Sequence, residues 1–228
     1  MPFIDKILKE ILEDSKSWLP LETYKNLELA FRNPSFREIF GAKINEILKE
    51  TTTPGDLKCA MSEFHSLIEN ENTTEREMQL FFENQPWFLG FEYAEVVSQK
   101  RAGYEHILDF RIRDTSDRYD IVELKRPSDR LFKKYRKGLT MTQPLVNALS
   151  QLQDYLDFYF EHGDYVYSTE GKRIYKPRGV LLMGRSIPEE RTQLMRQNSF
   201  LDGIEIRTYD MVFERMERIS TALSELSL

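Results

Sequence analysis

The chain has 228 residues, 40% hydrophobic and 31% charged, with a formal net charge of −6. This describes a globular protein with one substantial core. It excludes a uniformly basic nucleic-acid coat and, with no apolar run near the roughly 18 residues a span needs, a membrane-spanning protein. Charges interrupt the N-terminal stretch, unlike a signal peptide. The single cysteine, Cys59, can form no internal disulfide and reads as a small buried hydrophobe, so a cytoplasmic location is expected. His65, His106 and His162 are far apart and lack zinc-ligand spacing.

Three amphipathic helices are expected first, over 2–15, 21–31 and 35–49. In the first, Ile4, Ile7, Leu8, Ile11 and Leu12 repeat at helical spacing. Thr51-Thr52-Thr53-Pro54-Gly55-Asp56 reads as a break, so the expected division is a small helical region over 1–55 and a second domain over 56–228. The second domain opens with a helix over 57–69. Thr74 with Glu77 three later fits a capping box for the next helix. Met78, Phe81 and Phe82 form that helix's apolar face, and Gln85-Pro86 ends it. A strand is expected over 92–101, turned back by Ala102-Gly103.

The stretch 107–126 then reads as two strands joined by the polar turn Asp114-Thr115-Ser116-Asp117. Side chains alternate between faces along a strand. Leu108, Phe110, Val122 and Leu124 therefore go to one face, and Asp109, Glu123 and Lys125 share the other. Antiparallel pairing brings the two carboxylates together. Two acids with a lysine close by suit a hard divalent cation plus a phosphate. An acid amid Leu108, Phe110 and Ile112 is also a poor strand former without a role.

From Lys125 to Lys137 there are seven basic residues and one acid: Lys125, Arg126, Arg130, Lys133, Lys134, Arg136 and Lys137 against Asp129. Read alone, this run is either a solvated loop leading into a helix or a phosphate-binding patch. A long helix over 142–160 follows, on which Gln151 and Tyr155 are surface neighbours. Residues 165–175 read as a hairpin or loop turning at Glu170-Gly171-Lys172. A buried strand over 178–183, a helix from Pro188 to Asn198, a strand over 204–208 and a helix over 209–226 complete the chain.

The pattern Asp109, then Glu123-Leu124-Lys125, resembles the core of the PD-(D/E)XK nuclease superfamily. Within it, residues 70–228 are most similar to the Shedu anti-phage nuclease domain. The resemblance is carried by Glu75 with the helix ending Asn84-Gln85-Pro86-Trp87-Phe88-Leu89-Gly90, and by Leu108-Asp109-Phe110. It is also carried by the run from Ile121 to Ser128, by Gln151-Leu152-Gln153-Asp154-Tyr155, and by the run from Ile204 to Asp210. Archaeal mismatch and branched-DNA nucleases have similar motif spacing. The resemblance implies a restriction-endonuclease-like α/β fold, a mixed sheet flanked by helices, with the helical N-terminal region outside it.

It further implies a magnesium-dependent DNA endonuclease of bacterial defence, with manganese as a substitute, acting as a homo-oligomer (dimer or tetramer). Asp109, Glu123 and Glu75 would ligate the metal, and Glu83 competes with Glu75 for that role. Lys125 would stabilise charge at the phosphate. Gln151 and Tyr155 would lie against the active strand, and Arg126, Arg130, Lys133, Lys134, Arg136, Lys137 and Tyr155 would contact DNA. Three other readings stay open: a non-cleaving nucleic-acid-binding module on the same fold, a related branched- or mismatch-DNA repair nuclease, and an interaction protein whose helical N-terminus does the work.

Overall fold

A computed structural model describes residues 54–90, 93–102, 106–114 and 116–224, with short pieces at 25, 28–30 and 32–35. The expected helices over 2–15, 21–31 and 35–49 lie outside the described residues, those short pieces aside. The chain divides into two compact units, one comprising 1–66 with 212–228 and the other 67–211. In the first unit Phe64 stacks on Phe213 with ring centroids 6.4 Å apart.

The second unit is built on a five-stranded mixed sheet ordered β1-β2-β3-β6-β7. Strands β1 (Tyr93–Ala102), β2 (His106–Asp114) and β3 (Tyr119–Leu124) form an antiparallel meander. Strands β6 (Arg178–Leu182) and β7 (Ile204–Arg207) extend it in parallel. The helices are α1 (Pro54–Glu69), α2 (Glu75–Asn84), α3 (Gln143–Glu161), α4 (Gly163–Glu170), α5 (Pro188–Asn198) and α6 (Tyr209–Ser224). The expected restriction-endonuclease-like α/β class is the observed one.

Both faces of the sheet are covered. On one, Phe82 of α2 meets Phe110 edge-on at 6.3 Å. On the other, Leu145, Ala148, Leu152, Tyr155 and Tyr159 of α3 join Ile121, Leu181 and Ile206 in one apolar cluster. A parallel pair requires a crossover, and α3 lies in the one between β3 and β6. A buried charge needs partners. Asp120, at the start of β3, accepts both arms of Arg178 at 2.8 Å and the Tyr93 hydroxyl at 2.8 Å. That clamp ties β1, β3 and β6 at the end away from Glu123 and Lys125.

Four expectations need correction. The basic run is a loop only over 125–131 and leads into no helix: from Phe132 it enters a two-stranded hairpin, β4 (Phe132–Tyr135) with β5 (Gly138–Met141). Residues 163–170 are the helix α4, and Gly171 (φ +67°) is its left-handed C-cap rather than the turn of a hairpin. Helix α1 begins at Pro54, inside the expected break, because proline suits a first helical turn. Cys59 is exposed, not buried.

Candidate active site

The capping box at Thr74 forms as expected. Its hydroxyl accepts from Glu77 N at 3.2 Å, and Glu77 Oε2 accepts from Thr74 N at 2.8 Å. This fixes the start of α2 and with it the exposed Glu75. Phe110 pairs with Val122 and Arg111 with Ile121, so the same register sets Asp109 opposite Glu123. Asp109 Oδ2 accepts the Leu124 backbone N–H at 2.7 Å, tying the two strands where they carry the acids. On β1 the register sets Gln99 beside Asp109, and Gln99 holds a left-handed backbone (φ +48°), a strained conformation for a non-glycine residue.

Glu123 is only 2% exposed. Its Oε1 accepts from Lys125 Nζ at 2.5 Å, while its Oε2 is buried without a hydrogen-bond partner among the described residues. Burial first, then repulsion from Asp109, pushes the Glu123 carboxyl up to about 7, against the pull of Lys125. Burial also raises Asp109, helped by Glu75 and opposed by the Leu124 N–H and by Lys125. Burial alone would lower Lys125, but Glu123, Glu75 and Asp109 reverse this and hold its ammonium charged.

Helix α3 completes the cluster. Lys125 Nζ also donates to Gln151 Oε1 at 3.1 Å, and Gln151 Nε2 donates to the Tyr155 hydroxyl at 2.6 Å. That hydroxyl passes its own proton toward the Ile107 carbonyl at 3.3 Å. Two of the three ammonium hydrogens of Lys125 are thereby engaged, and the third has no partner among the described residues. Tyr155 itself is buried, so it belongs to this chain of hydrogen bonds and not, as expected, to a surface that meets DNA.

The structure thus brings Asp109, Glu123, Lys125, Gln151 and Tyr155 together. Glu75 acts on Asp109, Glu123 and Lys125 through its charge. Glu83 instead faces Arg76 at 3.7 Å. Among the described residues no three His, Cys, Asp or Glu side chains form a metal-holding cluster. Magnesium is typically held by one or two carboxylates plus waters and substrate phosphates. The opposed pair Asp109–Glu123, with one buried and unpartnered oxygen, fits that requirement.

Of the expected DNA-contacting cations, Arg126 pairs with Asp129 at 2.8 Å and Arg130 lies 3.8 Å from Glu190. Lys133, Lys134, Arg136 and Lys137 are exposed on the β4–β5 hairpin.

One positioning residue has no signal in the local sequence. Tyr209 is fully buried, stacks on Phe82 at 6.4 Å and donates its hydroxyl proton to the Lys125 carbonyl at 2.6 Å. Gly184 acts nearby: its backbone is left-handed (φ +64°), and a Cβ there would lie 2.2 Å from the Asp129 carbonyl oxygen. Its N–H donates to the Arg126 carbonyl at 3.2 Å, so the chain leaving Lys125 is held against the end of β6.

A mixed five-stranded sheet with an acid on β2, an acid on the neighbouring β3 and a lysine just past its end defines a restriction-endonuclease-like α/β domain. The family model for "Shedu protein SduA, C-terminal" matches residues 72–213, more than half of the chain and every residue of the cluster. The chain belongs to the Shedu family. No curated protein matches it. Among solved structures it is similar to EndoMS in a complex with double-stranded DNA, at 19% identity and a TM-score of 0.35, covering 59% of this chain and 44% of that one. It is also similar to a repair endonuclease from Pyrococcus abyssi, at 21% identity and a TM-score of 0.35, covering 59% of this chain and 46% of that one. The chain thus spans less than half the length of either. Among the described residues no helix is long and apolar enough to cross a membrane.

Proposed function

We propose that the protein is a metal-dependent DNA endonuclease of bacterial anti-phage defence, hydrolysing phosphodiester bonds at the Asp109–Glu123–Lys125 cluster. The observation that carries this reading is the buried Glu123 carboxylate: one oxygen on Lys125, the other unpartnered, and Asp109 directly opposite. A fold gains nothing from leaving one oxygen of a buried carboxylate without a hydrogen-bond partner beside a second acid. A cation site does.

Asp109 and Glu123 would hold the cation, magnesium with manganese as substitute, and Glu75 would support it from the start of α2. When bound, the ion supplies Lewis acidity at the phosphoryl oxygen and a water of lowered pKa. Lys125 directs its free N–H toward the scissile phosphate, where its charge offsets the charge developing on oxygen. Gln151 keeps that ammonium in place, and Tyr155 fixes Gln151 so that its amide oxygen faces Lys125. Tyr209 anchors the backbone that carries Lys125. Arg126, Arg130 and the hairpin cations hold the flanking phosphates. The helical region 1–55 is an accessory to the nuclease domain 56–228, and the protein works in the cytoplasm as a homo-oligomer, a dimer or a tetramer.

The test is incubation of purified protein with plasmid and linear DNA, in magnesium or manganese against EDTA, beside Asp109→Ala and Lys125→Ala. The expected result is metal-dependent nicking or cutting that both variants lose while keeping the wild-type circular dichroism. A variant that cuts at the wild-type rate with the same metal overturns the assignment.

A further inference from the structure

The β4–β5 hairpin carries more than charge. Its loop is two residues long, Arg136-Lys137, because Tyr135 pairs directly with Gly138. Two-residue hairpin loops favour glycine or asparagine where φ is positive, yet here Arg136 holds φ +51°. An arginine is kept at the tip where a less strained residue would serve the turn better. Beside it Tyr135 is 58% exposed, and the Arg136 guanidinium lies over its ring at 5.3 Å. Lys133, Lys134, Arg136 and Lys137 have no carboxylate partner among the described residues, unlike Arg126 and Arg130.

The base of the hairpin is, in contrast, fixed. Leu131 and Phe132 are buried in the apolar cluster beneath α3. Thr142, the N-cap of α3, donates its N–H to the Leu131 carbonyl at 2.9 Å and its hydroxyl to the Arg130 carbonyl at 2.6 Å. Gly184 closes on Asp129 at the other side. At about 3.4 Å per residue, Tyr135 stands about 10 Å beyond the anchored Phe132. A stalk anchored at its base, with four exposed cations along it and an exposed aromatic beside its tip, has the chemistry of a base-stacking platform. The ring offers a π-face to any base, and the cations track the phosphates on either side. A continuous duplex offers only phosphates and groove edges to such a tip, because its base faces are already stacked.

We infer that the β4–β5 hairpin is a nucleobase-contacting finger, in which Tyr135 stacks on an unpaired base of a DNA strand while Lys133, Lys134, Arg136 and Lys137 hold the neighbouring phosphates. The inference rests on the nuclease reading and narrows its substrate to DNA with a single-stranded or unpaired segment at the finger.

The experiment measures binding of the full chain to a fluorescent thymidine oligonucleotide and to a blunt duplex of the same length, in EDTA so that nothing is cut. Tyr135→Ala is expected to lose about tenfold or more in affinity for the single strand. It should change duplex affinity less than about twofold and leave the salt slope intact. Tyr135→Trp should restore single-strand binding, with its indole fluorescence quenched by the oligonucleotide. Lys134→Ala with Lys137→Ala should weaken both DNAs and lower the salt slope by about 2. Equal affinities of Tyr135→Ala and wild type for the single strand, or an equal loss on both DNAs, overturn the finger. If the wild type nevertheless cuts plasmid with metal, the nuclease reading survives that result. A wild type that neither binds DNA nor cuts it sinks both.

Discussion

At the scale of single residues, burial makes Glu123 the centre of the site. Its folded carboxyl titrates at about 7 against an ordinary 4.5, so between those values the folded state keeps a proton that the unfolded chain has lost. The sign follows from linkage. Stability is fully present below about pH 4.5, falls as pH rises to about 7 and stays lower above it. The metal-free protein should therefore melt several degrees lower at pH 7.5 than at pH 5, and Glu123→Gln should flatten that slope. Differential scanning fluorimetry across the pH range checks it, and an unchanged slope in the variant counts against Glu123 as the group that titrates.

Tyr209→Phe keeps the ring stack on Phe82 and deletes one hydrogen bond, leaving the Lys125 carbonyl without that donor. It should cost about 1 kcal/mol in a denaturant titration. If Tyr209 positions Lys125, kcat should fall with KM for DNA unchanged; a stability loss with kcat intact would make its role structural only.

Elements whose chemistry is local could be read directly. The Thr74 box, the alternation through β2 and β3 and the stripe of α3 each announce themselves, and they deliver Asp109, Glu123, Lys125 and Gln151 to the same place. The hairpin β4–β5 could not be read this way. In β4 the one buried apolar residue, Phe132, is followed by Lys133 and Lys134 within the charge run, β5 is only four residues long, and the two-residue tip lacks a glycine. Gly171 misled for the opposite reason, since a glycine ends a helix as readily as it makes a turn. Tyr209 was invisible as a positioning residue because its partner Lys125 lies 84 residues earlier, and no local pattern encodes that distance. Gly184 is likewise defined by a neighbour remote in sequence. Gly184→Ala should cost about 2 kcal/mol or more from its left-handed backbone and the clash with the Asp129 carbonyl. The denaturation midpoint reads it, and a midpoint within error of wild type would show that Arg126–Leu131 is not clamped there.

Over the whole molecule, a net charge of −6 conceals a sharply polarised chain, with the cations of 125–137 gathered in one run and the remainder acidic. Such a molecule is expected to meet DNA through one surface and be repelled elsewhere, so binding should depend steeply on ionic strength. For the four unpaired hairpin cations alone, raising salt from 50 to 200 mM should weaken binding on the order of 100-fold. Anisotropy titrations at several salt concentrations give the slope, and a flat dependence contradicts a phosphate-gripping face.

Whether Asp109 and Glu123 together hold a divalent cation is decided by calorimetric titration of manganese into the metal-free protein near pH 7. The expected result is saturable binding with proton release, because the Glu123 carboxyl must ionise to ligate, and loss of both the heat and the proton in Glu123→Gln. Binding of equal affinity in Glu123→Gln, or none in the wild type, would contradict it.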